Sequence, residues 1–301
     1  MNADLLGRYS AIRSGTTSGF FEQDRGLIAV SGKEAVQFLD GLISNDMKTL
    51  ADGQEMLAAF PNAQGRLLAV VRVKREGERF LFETESATRE KLYQNLFRFT
   101  FAGDFFVEDL SEEYRYYALF GPMLSVGNAT IEFKAGRGPG IFVPLEMVEA
   151  TRAELNAKAA AITGELYELL RIECGIPKYG VDMDESTIVP ELGLDGLISY
   201  TKGCYIGQEI IARIHFRGHV ANQLTGLVLS EDPFPSATPS SIELTSADGK
   251  SAGRLTSTAF SPKLEKRIAL AYVRYEHLAP GTVLKAGNSE AVVTELPFVS
   301  L

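Results

Sequence analysis

Tryptophan is absent from this 301-residue chain, and thiols and imidazoles are scarce, with two cysteines and three histidines. Only His215 and His219 have a spacing typical of metal ligands, and an intervening glycine interrupts any helix that would carry both, so the sequence predicts no metal centre within the chain. The cysteines, Cys174 and Cys204, stand far apart in a chain without an export signal. We therefore expect free thiols and no disulfide framework.

Long apolar runs are missing as well, since no stretch of about 18 apolar residues occurs and the N-terminus lacks a basic-then-apolar layout. We expect a cytoplasmic protein that does not enter a membrane. Basic residues are outnumbered, with 30 Lys and Arg against 39 Asp and Glu and a net charge of −9. Direct binding of nucleic acid is not expected, because it requires neutralisation of phosphates by basic side chains.

The first part of the sequence mixes strand and helix patterns. An apolar segment bounded by glycines at 26–32 predicts a strand, and apolar residues at helical spacing over 33–43 predict the helix that follows it. The same reasoning predicts strands at 55–60, 67–73, 79–83, 103–109, 116–120 and 141–144, and helices at 86–99, 146–161 and 165–174. This is an α+β pattern, and we assign residues 1–220 to one region of two α/β lobes divided near 111–150.

From Leu224 onward the pattern changes to short alternating apolar segments separated by turns rich in proline, glycine and serine. Such spacing predicts a small antiparallel barrel or sandwich, which we assign to residues 221–301. The proline-rich segment 231–241 is expected to form a loop or an edge of this domain.

The strongest chemical signal lies in the segment YTKGCYIGQEIIARIHFR, residues 200–217. Gly203 and Gly207 flank Cys204, so the backbone can bend sharply and approach a ligand closely. A helical pattern over 206–213 places the thiol near a helix N-terminus, which, like the neighbouring Lys202, favours the thiolate. The thiolate is the species that attacks electrophiles, exchanges disulfides and ligates metals. We therefore predict Cys204 and Lys202 as catalytic residues.

An inert role is the alternative for any free cysteine, because most are buried and behave as small apolar residues. Around Cys204 the neighbours are Lys, Gly, Gln and Glu, which suit a core strand poorly. Cys174 lies instead among leucines on a predicted helix, and we interpret it as the inert cysteine.

The octapeptide KGCYIGQE at 202–209 resembles the signature of the YgfZ family, bacterial relatives of a mitochondrial iron–sulfur assembly factor. Segments 171–194, 30–47, 61–69 and 86–91 resemble that family and the T-protein of the glycine cleavage system, an aminomethyltransferase that uses tetrahydrofolate. With the C-terminal strands, the resemblance covers nearly the whole chain. It implies an aminomethyltransferase-like, three-lobed folate-binding fold with a central cavity and a C-terminal antiparallel β-barrel.

The same resemblance implies a set of cofactor-binding residues for tetrahydrofolate or a derivative. Glu173 matches the T-protein glutamate whose carboxylate accepts hydrogen bonds from the pterin, although it could instead be an exposed helix glutamate. Arg66 is a candidate partner of the folate glutamate tail. Asn62, Tyr179 and Gln208 complete the candidates.

One departure from the T-protein pattern bears on catalysis. T-proteins place paired aspartates after the turn that resembles PNAQG, and one of them is the acid–base group, whereas this chain has Leu67, Leu68 and Ala69. Aliphatic side chains cannot transfer protons, and general acid–base catalysis contributes about 10²–10⁴ in rate. Aminomethyl transfer by the usual mechanism is not expected, and the sequence leaves open whether the chain is an enzyme.

The resemblance favours a folate-binding accessory protein of iron–sulfur cluster assembly or repair, which would support tRNA modification indirectly through cluster enzymes. A cluster requires more thiolates than Cys204 supplies, so we expect cluster carrier or client proteins as partners. The alternatives are a folate-dependent one-carbon transferase, with Asp46, Asp182 or Asp184 as its acid, and a folate-binding protein without turnover.

Overall fold

The computed structural model describes residues 3–122, 124–127, 131–134, 136, 138–232 and 242–300. Contacts divide the chain into two compact units. Unit 1 comprises Met1–Thr163 and Leu194–Ala212, and unit 2 comprises Gly164–Gly193 and Arg213–Leu301. Segment Gly164–Gly193 thus belongs with the C-terminal strands, and Leu194–Ala212, which carries Cys204, belongs with the N-terminal lobes.

The described part of unit 1 holds two five-stranded sheets. Its elements are α1 (Ala3–Arg13), β1 (Ser18–Gln23), β2 (Arg25–Ser31), α2 (Ala35–Asp40), β3 (Glu55–Pro61), β4 (Leu67–Glu76), β5 (Arg79–Glu85), α3 (Ser86–Phe97), β6 (Phe106–Asp109), β7 (Tyr114–Phe120), β8 (Ile131–Phe133), β9 (Gly140–Pro144), α4 (Val148–Lys158) and β10 (Ala159–Ala161). The strand orders are β3-β4-β5-β2-β6 and β10-β1-β7-β9-β8. The prediction of mixed α/β lobes is confirmed.

Some element boundaries were predicted wrongly. The helix predicted at 146–161 ends at Lys158, and the alanines that follow form β10, which pairs in parallel with β1. Alanine favours helices, but strand pairing with β1 overrides that weak local preference. Neither α1 nor β1 was predicted.

A buried charged cluster joins the two sheets of unit 1. Arg72 donates to Glu83 at 2.8 Å, to the Tyr116 hydroxyl at 2.9 Å and to the Gly138 carbonyl at 2.7 Å, and Arg25 also pairs with Glu83. Burial opposes the charge of Arg72, but Glu83 outweighs it and holds the Arg72 pKa above its ordinary value. Removing one partner would leave an uncompensated buried charge, so the cluster fixes how the sheets meet.

Unit 2 contains α5 (Gly164–Glu173) and a closed antiparallel barrel. The barrel strands are β11 (Asn222–Leu229), β12 (Glu243–Thr245), β13 (Ser251–Ser261), β14 (Lys266–Arg274), β15 (Val283–Ala286) and β16 (Ser289–Thr294). Their order is β11-β14-β13-β12-β15-β16, and pairing of β11 with β16 closes the ring, which confirms the barrel. The interior is filled by leucines, valines and several alanines. Most of the predicted loop at 231–241 lies outside the described residues.

Helix α5 packs on the outer wall of this barrel, where Ile172 belongs to one buried cluster with Leu224, Ile268, Leu270 and Tyr272. Leucines at helical spacing had predicted the helix, and Gly175, just past its end, has a φ of 68° that favours glycine. None of the helices in the described ranges is long and apolar enough to cross a membrane.

Candidate functional site

Cys204 lies on an exposed loop of unit 1, immediately before helix α6 (Gln208–Arg217). The helix begins two residues later than predicted, because Tyr205 and Gly207 form a turn that leads into it. Cys174, at the end of α5, is half-buried. The two cysteines therefore differ in exposure in the direction that the sequence predicted.

Lys202, two residues before the cysteine, has its ammonium group surrounded by oxygen atoms. Its Nζ donates to the carbonyls of Asp40 at 2.7 Å, Ile43 at 2.9 Å and Asn45 at 2.7 Å, and lies 3.2 Å from Oδ1 of Asp40. It also lies 5.0 Å from the centre of the Tyr205 ring. The side chain has no exposed surface. Its visible role is therefore to bind the loop to the segment that follows α2.

The electrostatics of this anchor follow from burial. Burial lowers the pKa of Lys202, and the Asp40 carboxylate acts against it. Burial alone would raise the pKa of Asp40, but Lys48 and Lys202 outweigh it and hold that pKa below its ordinary value. Burial also raises the pKa of Tyr205 to about 12, so this phenol stays protonated at neutral pH.

A second set of hydrogen bonds ties the preceding residues to the same segment. The Ser44 hydroxyl donates to the Leu197 carbonyl at 2.6 Å, and the Asn45 amide donates to the Gly196 carbonyl at 2.7 Å. The Ser199 N–H donates to the Ser44 carbonyl at 2.9 Å. The path of the chain towards Cys204 is therefore fixed before it reaches Lys202.

On the other side of the cysteine, the backbone packs against the PNAQG turn. Gly207 has a φ of 81°, and a Cβ at this position would lie 2.4 Å from the Asn62 carbonyl oxygen, so no other residue fits. The Asn62 side-chain oxygen accepts from the Gln64 and Arg66 N–H groups. Gln208 donates from its amide to the Gly203 carbonyl at 3.2 Å. The structure thus brings Asn62, Gln208 and the Cys204 loop together.

The remaining predicted positions of this region lie on the turn and on β4. Arg66 is exposed. Leu67 and Ala69 are buried in the sheet and Leu68 is half-buried, so these positions hold no acid–base group. Asp46 caps a short 3₁₀ helix by accepting the Lys48 N–H at 3.0 Å.

Glu173 occupies a different place, at the end of α5 in unit 2. Its carboxylate has no exposed surface, and Oε1 accepts a hydrogen bond from the Ser261 hydroxyl at 2.5 Å. The alternative of an exposed helix glutamate is therefore wrong. Tyr179, which lies in the same unit, is also buried.

The two acidic candidates of unit 2 already have partners. Asp182 is fully buried and accepts from Arg171 at 2.8 Å and from the Thr256 hydroxyl at 2.6 Å. Hydrogen bonds from Ser186 hold the pKa of Asp184 below its ordinary value. The lowered pKa of Asp184 favours its carboxylate form over a proton donor.

Metal-ligand groupings were also sought. No cluster of three or more histidine, cysteine or acidic side chains in the described ranges could hold a metal ion. His219 stacks on Tyr275 at 3.7 Å between ring centres, and His215 is exposed on α6.

Sequence reasoning missed the residues that hold the loop: Asp40, Ser44 and Asn45. They lie in the segment 30–47, which carried a family resemblance but received no role. The available signal was a cluster of short polar side chains directly after an apolar helix.

Comparisons with known proteins bear on the family and the fold of the chain. The chain matches the model of the GCVT N-terminal domain over residues 16–125 and that of the glycine cleavage T-protein C-terminal barrel domain over residues 222–300. The fold matches the crystal structure of glycine cleavage system aminomethyltransferase T from Bartonella henselae, with a TM-score of 0.86 and 21% identity over 98% of this chain and 89% of that chain. The expected aminomethyltransferase fold is confirmed.

Relatives in sequence carry three kinds of name. The chain is 30% identical to the tRNA-modifying protein YgfZ of Edwardsiella ictaluri over 70% of each chain. It is 31% identical to the mitochondrial iron–sulfur cluster assembly factor IBA57 homolog of Mycosarcoma maydis over 67% of this chain, and it spans only 55% of that relative. An aminomethyltransferase of Rubrobacter xylanophilus is 28% identical over 98% of this chain and 84% of its own length.

Proposed function

Because the chain belongs to the YgfZ family, we propose that it is an accessory protein of iron–sulfur cluster assembly or repair that acts through Cys204. Its relatives include proteins named for cluster assembly and for tRNA modification. A single activity in cluster assembly accounts for both kinds of name if the enzymes that modify tRNA themselves require iron–sulfur clusters. In this proposal the effect on tRNA is indirect, and the chain binds no nucleic acid.

The observation that carries the proposal is an exposed thiol on a loop whose backbone is fixed on both sides. Lys202 anchors one side through three carbonyls and Asp40, and Gly207 packs against Asn62 on the other. A buried inert cysteine needs no such support, whereas a thiol that meets a partner protein benefits from a fixed position.

In this proposal Cys204 acts as a thiolate ligand of an iron atom. Its thiol releases a proton to water, and the thiolate replaces a water ligand on one iron of a cluster that is cargo, while the partner protein supplies the other ligands. In this account Lys202 is a positioning residue, because its ammonium contacts carbonyls and a carboxylate of unit 1.

Tetrahydrofolate binding is the second part of the proposal, supported by the match to the GCVT N-terminal domain. Glu173 has the acceptor chemistry that a pterin edge requires, but its carboxylate is fully buried and accepts from Ser261. A pterin could reach this carboxylate only after neighbouring side chains move. Glu173 therefore has the right chemistry for a pterin, but it is not accessible to one in this conformation. We assign folate no step in the action of Cys204.

Aminomethyl transfer is left out of the proposal. The fold and a relative named aminomethyltransferase are compatible with it, but Leu67, Leu68 and Ala69 stand where the T-protein pattern has its acid–base group. The carboxylates named as substitutes are held by other partners.

Complementation tests the role of the thiol. Cells that lack this protein would receive the wild type, Cys204→Ser or the matched control Cys174→Ser, and a cluster-dependent enzyme and its modified tRNA nucleosides would be assayed. We expect Cys204→Ser to restore neither readout and Cys174→Ser to restore both. Full restoration by Cys204→Ser would exclude a thiol mechanism.

Calorimetric titration with tetrahydrofolate tests the cofactor. We expect Glu173→Gln to abolish binding. Ser261→Ala, which removes the hydroxyl that donates to Glu173 and accepts the Leu264 N–H, should retain it, as should Cys204→Ser. A wild type that shows no binding would remove folate from the proposal and leave the thiol hypothesis intact.

A further inference from the structure

The outer wall of the barrel in unit 2 carries a pocket that the proposed function does not use. Its volume is about 440 Å³, and its lining residues are Ser186, Thr187, Glu191, Asn222, Glu243, Ser251, Gly253, Arg254, Tyr272 and Arg274. This volume falls within the range of about 300–1,000 Å³ that is typical of small-molecule sites.

Arg254, on β13, has no carboxylate partner in this pocket. Its guanidinium lies over the ring of Tyr272, 4.8 Å from the ring centre, and makes no ion pair within the described ranges, although its charge is near enough to Asp184 to help lower the pKa of that carboxyl. Glu243 stands directly opposite Arg254 in the strand register, yet the two side chains do not pair. The guanidinium therefore keeps donors for a ligand.

A second guanidinium lies nearby at the end of β14. Arg274 is exposed, and it too has no ion pair to a residue that the structure describes. By contrast, Arg267 of the same strand pairs with Asp232 at 2.6 Å. Two guanidinium groups that line one pocket offer the planar sets of donors that suit a carboxylate, which accepts hydrogen bonds at both oxygens.

The pocket also contains negative charge. Glu243 is exposed and has no ion pair within the described part of the chain. Glu191 accepts the Ile188 N–H at 2.9 Å through Oε2. A simple anion would be repelled by these carboxylates, so a ligand that uses the whole pocket must also carry a cationic or hydrogen-donating group.

The floor of the pocket supports a binding role. The Tyr272 hydroxyl is buried and has no hydrogen-bond partner among the described residues. Burial raises the pKa of Tyr272, and the nearby Thr187 hydroxyl only partly offsets that effect. Gly253 has a φ of 145°, and a Cβ there would lie 2.0 Å from the Tyr272 carbonyl oxygen. Only glycine therefore fits at this position beside the backbone of β14.

We propose that this pocket binds a small molecule of the amino-acid type, with its carboxylate held by Arg254 and Arg274 and its ammonium facing Glu243. Neighbouring polar groups, the Asn222 amide and the Ser251 hydroxyl, are available to a side chain of the ligand. The site is independent of Cys204.

Ligand analogues test the two charges separately. Free amino acids would be titrated against the full-length protein in a calorimeter, together with their N-acetyl derivatives, which lack the ammonium, and their amides, which lack the carboxylate. We expect at least one free amino acid to saturate the protein with a dissociation constant below about 1 mM, and both of its derivatives to bind about tenfold more weakly or worse.

Variants then assign the charges to residues. Arg254→Gln and Arg274→Gln should each weaken the free amino acid by about tenfold. Glu243→Gln should weaken the free amino acid but tighten the N-acetyl derivative, because it removes a charge that attracts ammonium and repels carboxylate. Arg267→Gln is the matched control and should bind as the wild type does. Circular dichroism checks that each variant is folded.

Three results would overturn the proposal. These are no saturation by any amino acid at about 10 mM, equal affinity for the free and N-acetyl forms, or folded Arg254→Gln and Arg274→Gln variants that bind as the wild type does. Complementation by Cys204 variants does not test this pocket. The amino-acid proposal can therefore fail while the proposed function stands, and the reverse also holds.

Discussion

Lys202 beside the Cys204 loop is buried and Arg254 on the barrel wall is half-buried, and their cationic groups meet different surroundings. The Lys202 ammonium contacts three carbonyls and Asp40, so its charge is used to hold backbone. The Arg254 guanidinium lies over the Tyr272 ring and makes no ion pair with a residue that the structure describes, although its charge helps to lower the pKa of Asp184. The contrast teaches that the first region fixes a thiol in place, whereas the second keeps charge available for a ligand.

Replacement of Lys202 is expected to have the largest effect. Lys202→Met leaves three carbonyls without their donor and leaves Lys48 as the cation beside Asp40, and the loss of these buried contacts should cost about 3–5 kcal/mol of unfolding free energy. Arg254→Gln breaks no ion pair, so it should cost less than about 1 kcal/mol. Chemical denaturation measures both values. Equal losses of unfolding free energy in the two variants would contradict the difference that we infer between Lys202 and Arg254.

The backbone on the far side of Cys204 is expected to be nearly as sensitive. Gly207→Ala places a Cβ against the Asn62 carbonyl oxygen in a positive-φ conformation, which should cost about 2–3 kcal/mol of unfolding free energy. Gly203→Ala is the matched control, because no atom lies within 4 Å of its Cβ position. If Gly207→Ala were as stable as Gly203→Ala in the same denaturation experiment, the loop would not be fixed.

The anchor should also make stability depend on pH. The Asp40 pKa is held below its ordinary value, so its charged form contributes stability that is complete above that ordinary value and is lost as the pH falls through the lower pKa of the folded protein. The gap in unfolding free energy between the wild type and Asp40→Asn should therefore be constant at neutral pH and shrink below about pH 4. A gap that widens in acid would contradict this assignment.

The smallest effect on stability is expected at the thiol itself. Cys204 is exposed, so Cys204→Ser should change the unfolding free energy by less than about 0.5 kcal/mol. Iodoacetamide should alkylate Cys204 well before the half-buried Cys174, as mass spectrometry of peptides from the folded protein can show. Faster alkylation of Cys174 would reverse the assignment of the two cysteines.

Much of the fold was predictable from local patterns. Leucines at helical spacing predicted α5, and alternating apolar residues from Leu224 onward predicted the barrel strands, because burial on one face imposes a period on the sequence. The alanines at 159–161 were misassigned, because a three-residue strand depends on its partner β1 and leaves no period of its own.

The candidate site was predictable only in part. Cys204 between two glycines was recognisable, since the composition around it does not suit a core. The partners of Lys202 were not, because its oxygen ligands are main-chain carbonyls around Asp40 and Asn45, far away in the sequence. Any residue has a carbonyl, so no pattern of residue types marks this contact.

By itself the sequence determined the helix and strand patterns, the family and the cysteine on which the chemistry is proposed to depend, because periodicity and a long motif are local properties. Only the tertiary structure decided which groups each charged side chain contacts. It buried Lys202 and Glu173 and left Arg254 and Glu243 unpaired although they face each other across neighbouring strands. The interaction of a charge depends on burial and on the distance to its partners, and both are fixed only when distant segments pack together.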